Sequence, residues 1–260
     1  MGLRGLSALI LLAVGLCAQA LPAAAQSSFN SGCILDHCQD RNDPNAFRPG
    51  QPRPTPFPRQ GNLPPRGNAA TGNFDFYVLA LSWSSGFCAT NGSGRSSSQC
   101  DPGSGLGFVV HGLWPQFEHG FPSDCDPSSR PLSRQALDMT SGLFPDEGLA
   151  RYEWRKHGTC SGKAPTEYFA DVRAAFEQVR IPDDFKRVET DIRQAPADIT
   201  RAFEAANPRL RPGMMAVGCT RGVLQEVRIC ISKDLRDFRP CPEVVRDTCR
   251  SRDISVPPIL

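Results

Sequence analysis

The sequence predicts an α+β fold: an antiparallel β-sheet packed with several α-helices and stapled by disulfides. Three observations predict it. Runs of aromatic and β-branched residues near 74–83, 107–110, 214–219 and 223–231 read as strands. Stretches with apolar residues at helical spacing lie between them. Eleven cysteines, one of them Cys17 in an apolar leader, leave an even ten, the arithmetic of up to five disulfides in an oxidising compartment. The cysteine spacings are wider than the short paired spacings of zinc sites, so disulfides are favoured over a metal. A length of 260 residues with 40% hydrophobic and 22% charged residues fits one soluble domain plus tails. The formal net charge of +2 decides nothing about a polyanionic partner, since a local basic cleft can sit on a neutral molecule.

In chain order, Arg4, the apolar run 6–16 and Ala23-Ala24-Ala25 before Gln26 read as a secretory signal over residues 1–25, with Ala18-Gln19-Ala20 as an alternative cut. No later stretch is long and apolar enough to span a bilayer, so the expectation is a soluble protein, secreted or periplasmic. Residues 26–72 form a tail of different character. Eight of the 24 prolines fall between Pro44 and Pro65, a composition for an extended or disordered linker or tether rather than a core. Cys33 and Cys38 stand close enough in sequence to close a small loop there.

Order is expected over residues 73–260. The first strand, over 74–83, ends in Ser84-Ser85-Gly86, and Cys88 and Cys100 flank a Ser/Gly-rich loop that they are expected to close. Asn91-Gly92-Ser93 is a formal glycosylation sequon. The second strand, over 107–110, delivers His111 at its end, where Gly112 and Pro115 are expected to break the ladder. Helices are predicted over 133–140, capped by Ser133, and over 147–157, with Asp146 and Glu147 at its positive end. Another is predicted over 163–180, where Phe169, Val172, Phe176 and Val179 make a core stripe, and a last over 196–206, ended by Asn207-Pro208. Two strands close the domain, with Cys241 and Cys249 pinning the C-terminal segment.

The chemistry concentrates in Tyr152-Glu153-Trp154-Arg155-Lys156-His157-Gly158-Thr159-Cys160. On a helix Glu153 and His157 stand at i and i+4 and share a face, with Lys156 beside them. A carboxylate next to an imidazole raises its pKa and fixes its orientation, which readies a histidine for proton transfer. The second acid–base group is then sought elsewhere, and His111 in His111-Gly112-Leu113-Trp114-Pro115 is the candidate. Taken alone, His111 is more often a structural histidine bonded into a core.

Those two segments, in that order and about forty residues apart, resemble the two active-site segments of the T2 family of secreted acid ribonucleases. Leu79-Ala80-Leu81-Ser82-Trp83-Ser84, residues 224–230 and Phe238-Arg239-Pro240-Cys241-Pro242 extend the likeness over roughly residues 73–250. The resemblance implies disulfides Cys125–Cys160, Cys219–Cys249 and Cys230–Cys241, leaving Cys88 with Cys100 and Cys33 with Cys38. It also implies an endoribonuclease acting on single-stranded RNA through a 2′,3′-cyclic phosphate to 3′-phosphate ends. In that reading the catalytic residues are His157 as general base, His111 as general acid, and Glu153 and Lys156 around the phosphate. RNA carries its own nucleophile, so no metal or cofactor is called for, and DNA, lacking the 2′-hydroxyl, resists. Trp114 and Tyr152 are the substrate-binding candidates, Trp114 by stacking and Tyr152 by donating a hydrogen bond to phosphate; Trp154 points to the core. Tyr152 departs from the family, which often has His there. A monomer with RNA as its only partner is expected. The rival readings are a zinc hydrolase using His111, His157 and Glu153, and a secreted binding protein on the same fold.

Overall fold

The structure is a computed structural model and describes residues 71–91, 97–126, 128 and 131–260. The signal, the Pro-rich tail, the Cys33/Cys38 pair and most of the sequon lie outside the described residues. Along the chain come β1 (Phe76–Trp83), α1 (Ser84–Asn91), β2 (Phe108–Gln116), α2 (Arg134–Asp138), α3 (Glu147–Lys156) and α4 (Pro165–Glu177). They are followed by β3 (Ile192–Gln194), α5 (Pro196–Ala206), β4 (Met215–Thr220), β5 (Val223–Ser232), α6 (Pro242–Arg246) and β6 (Ile254–Val256).

Among the described residues the strands form one six-stranded sheet in the order β2-β1-β5-β6-β3, with β4 paired to β5. The pairing is antiparallel throughout except for a short parallel contact of β5 with β6 at Val223 and Ser255. The strand β1 is apolar on both faces because both are covered. Tyr77, Leu79, Leu81 and Trp83 join the main core with Phe169 and Val172 of α4 and Ile199 and Phe203 of α5. Phe76, Val78 and Ala80 face a smaller cluster with Trp114, the Cys230–Cys241 region and Val244 of α6. Helices α4 and α5 pack on one face of the sheet, and α6 adds a short cover to part of the other.

Most helix ends follow local chemistry. The Ser133 hydroxyl accepts from the Ala136 amide at 3.2 Å, and the Asp146 carboxylate accepts from Leu149 at 2.9 Å, each capping its helix as read from sequence. The Ser84-Ser85-Gly86 stretch that ends β1 turns straight into α1. Gly86 makes this fit, since a Cβ there would lie 1.8 Å from the Leu224 carbonyl oxygen of β5. Among the described residues, four disulfides join Cys88–Cys100, Cys125–Cys160, Cys219–Cys249 and Cys230–Cys241, the pairings expected.

Candidate active site

The second strand corrects the sequence reading in a way that makes the site. It does not stop at His111 but runs on through Pro115 to Gln116. Proline is tolerated because β2 is an edge strand with one side of its backbone unpaired. Along the pairing, Leu81 faces Val110 and Ala80 faces Gly112, so His111 is the extra residue of a β-bulge. A bulge frees one residue from the ladder and re-aims its side chain.

The other half is built by α3. The helix ends at Lys156, and His157 caps it, its amide donating to the Glu153 carbonyl at 2.9 Å. A tight turn, Gly158–Ser161, follows at once. Gly158 is needed there, because a Cβ would come within 2.4 Å of the Trp154 ring. The Cys125–Cys160 disulfide and the Asp124 amide, donating to the Lys156 carbonyl at 2.7 Å, tie the loop after β2 to this turn.

Between the halves lie Glu153 and Trp114. Glu153 is 1% exposed, and its Oε2 accepts a 2.7 Å hydrogen bond from the Trp114 indole. Its Oε1 stands 3.7 Å from His111 Nε2. The Trp114 ring lies edge-on to His111 at 5.1 Å between centroids and tilted against His157 at 5.3 Å. Gly112 permits the arrangement: a Cβ would fall 2.2 Å from Glu153 Oε2 and 2.3 Å from the indole nitrogen. The i, i+4 spacing therefore brings Glu153 to the site, where Trp114 and His111 are among its partners.

The two imidazoles are biased in opposite directions. Burial pushes His157 down to about 4, aided by the charges of Lys156 and His111 and opposed by Glu153 and Asp124. The expectation that Glu153 would raise His157 thus has the right sign for its charge, and desolvation outweighs it. Burial also works against a charged His111, but there the hydrogen bond of Glu226 and the charges of Glu153 and Glu226 prevail over burial and Arg228, and its pKa is raised.

Around them, burial lowers the Lys156 ammonium, which sits 5.5 Å from the Tyr152 ring centroid. Burial, Glu153 and Asp124 raise the Tyr152 hydroxyl, which stays a neutral donor. Trp154 is core, packed on Tyr168 and Phe169. Trp114 is only 5% exposed, whereas Phe121, which sequence reasoning passed over, is 53% exposed with its ring 6.2 Å from His157.

Sequence reasoning also passed over Glu226 and Arg228 of β5. His111 Nδ1 lies 3.0 Å from Glu226 Oε2, within hydrogen-bond reach, and Arg228 donates to Glu226 Oε1 at 2.7 Å. The available signal was two charges at i and i+2, on one face of a strand whose alternate positions, Val227 and Ile229, belong to the core. Among the described residues no group of three His, Cys, Asp or Glu side chains is placed to hold a metal ion.

Two buried histidines of opposite bias around one carboxylate, on a disulfide-tied α+β sheet, are the equipment of an acid–base enzyme. Residues 74–241 match the Ribonuclease T2 family, and the chain belongs to that family. It is 36% identical to a ribonuclease of Aeromonas hydrophila over 182 residues, 66% of this chain and 78% of that one. It is 29% identical to ribonuclease DdI of Dictyostelium discoideum over 200 residues, 68% of this chain and 82% of that one. Among solved structures, trichomaglin, described as an S-like ribonuclease, superposes with a TM-score of 0.58 at 23% identity, covering 72% of this chain and all of the other; that likeness bears on the fold alone. Family membership makes the chain an endoribonuclease.

Proposed function

We propose that this endoribonuclease cleaves single-stranded RNA by metal-independent transphosphorylation between two histidines. His157 takes the proton of the 2′-hydroxyl, whose oxygen attacks phosphorus. The bond from phosphorus to the 5′-oxygen breaks, and His111 Nε2 delivers a proton to that oxygen. A 2′,3′-cyclic phosphate results, and water opens it more slowly to a 3′-phosphate. Lys156 supplies positive charge to the phosphorane, and Tyr152 donates to a phosphate oxygen. Glu153 holds Trp114 and faces His111, keeping the two histidines in register.

The observation that carries the assignment is the opposed bias of the two imidazoles, both beside the one Trp114 indole. A base must be neutral and an acid protonated at the same pH, and His157 lowered with His111 raised meets both conditions. Trp114 acts as a spacer within the site, and the open ring of Phe121 offers the stacking face for a base. We take residues 1–25 as a secretory signal, 26–72 as a linker and 73–260 as the catalytic domain. The product acts as a monomer in the oxidising periplasm or outside the cell, where its disulfides persist.

The test is digestion of a defined single-stranded RNA in EDTA by the mature chain, by His111→Ala and by His157→Ala, with product ends separated. Cyclic-phosphate ends from the wild type and inert variants are expected. Intact RNA from all three across mildly acidic to neutral pH would remove catalysis and favour the binding-protein reading.

A further inference from the structure

The bulge that frees His111 from the ladder leaves its orientation to side-chain partners. On its Nδ1 side stands Glu226, whose two carboxylate oxygens are divided. Oε1 takes both the Nε and an Nη of Arg228 at 2.7 Å, and Oε2 takes His111 at 3.0 Å. Room for the carboxylate comes from Gly218 of β4, where a Cβ would lie 3.1 Å from Glu226 Cγ. Arg228 is held in turn, its guanidinium 5.5 Å from the Trp114 ring centroid and 3.8 Å from Asp247.

The charged groups facing His111 are thus Glu226 and Arg228 from β5, Glu153 from α3, and His157 beyond Trp114. A carboxylate on the inner nitrogen of an imidazole fixes its tautomer and leaves the outer nitrogen for proton transfer. A buried ion pair is a poor stabilising device, since apolar residues of like volume commonly serve as well or better. Its presence behind a bulged histidine is better accounted for by what it does to that histidine.

We propose that Glu226, locked by Arg228, is the positioning residue of the acid half of the site, turning His111 Nδ1–H inward and so presenting Nε2–H to the departing 5′-oxygen. This rests on the two-histidine reading above. Burial opposes the Glu226 charge, yet Arg228 and His111 bring its pKa down to about 2, so the carboxylate is ionised wherever the enzyme works.

The decisive experiment compares two substrates. A dinucleotide such as uridylyl-adenosine needs its leaving oxygen protonated, whereas uridine 3′-(4-nitrophenyl phosphate) expels a phenolate that leaves without a proton. Glu226→Gln should slow dinucleotide cleavage about 10- to 100-fold, with KM little changed, and the nitrophenyl ester less than about threefold. Its alkaline limb should move to lower pH, because His111 loses the neighbouring charge that holds its proton. Equal losses on both substrates, or no loss on either, would overturn the proposal.

A measurement on the wild type needs neither activity nor a folded variant. In the chain labelled with ¹⁵N-histidine, His111 above its pKa should keep its proton on Nδ1. A resting Nε2–H tautomer would sink the idea even if RNA is cleaved. An unreactive wild type with the Nδ1–H tautomer would instead leave the dyad standing and remove the ribonuclease mechanism.

Discussion

His111 is a bulged residue on a sheet edge and His157 caps a helix, and the two surroundings push the proton affinity of one side-chain type in opposite directions. Two carboxylates, Glu226 of β5 and Glu153 of α3, hold a proton on His111 despite its burial. Around His157, Trp114 and the turn after α3 leave the imidazole buried, and desolvation keeps it neutral. Charge and desolvation are separable physical causes, so a site can place them a few ångströms apart and obtain an acid and a base from the same residue.

The sharpest way to break the comparison is to remove one histidine at a time against the two substrates. His157→Ala should cost about 10²- to 10⁴-fold on both RNA and the nitrophenyl ester, whereas His111→Ala should cost that much on RNA alone. Next comes pH. Activity should fall as pH drops through the His157 value of about 4 and fall again as it rises past the raised value of His111, giving a plateau between the two in a pH-rate profile.

Stability should show the same division. His157 buried neutral favours the folded chain above the ordinary histidine value of 6.5, and this is lost as pH falls towards about 4. His111 acts in reverse, stabilising at low pH and ceasing to do so above its raised value. Denaturant melts of His157→Ala should therefore lose less stability between 6.5 and 4 than those of the wild type.

Opening the Cys125–Cys160 bond by paired serine substitution should cost about 2–5 kcal/mol in melts and admit water to His157, whose pKa should rise towards the ordinary value. Gly112→Ala should cost about 1–3 kcal/mol through overpacking and lower kcat by parting Trp114 from Glu153. The smallest effect is expected at Phe121→Ala, a rise in KM of about tenfold with kcat unchanged, as for one lost base stack.

Where the signal is local, the sequence foretells the structure. Asp146, Ser133 and the stripe Phe169, Val172, Phe176 and Val179 act within a turn or two of chain, and they reappear as helix ends and core contacts, with α4 ending at Glu177 just before Val179. The i, i+4 pairing of Glu153 and His157 likewise marked the site. What stayed hidden depends on distant partners. The Glu153 bond to Trp114 spans 39 residues and the His111 bond to Glu226 spans 115, so no spacing announces them. The bulge was hidden for another reason: Gly112 and Pro115 are ordinary strand breakers, and only the edge position of β2 lets the strand continue through them. With three residues each, β3 and β6 are too short to show a period.

The bulge at His111 separates the site from the scaffold that carries it. Because Val110 and Gly112 already face consecutive residues of β1, deleting His111 would leave a regular ladder with every other pairing in place. The residue proposed as the acid is thus the one residue of β2 to which the β1 register assigns no partner. Deleting His111 is therefore expected to keep the fold and its disulfides while removing the group proposed to protonate the leaving oxygen.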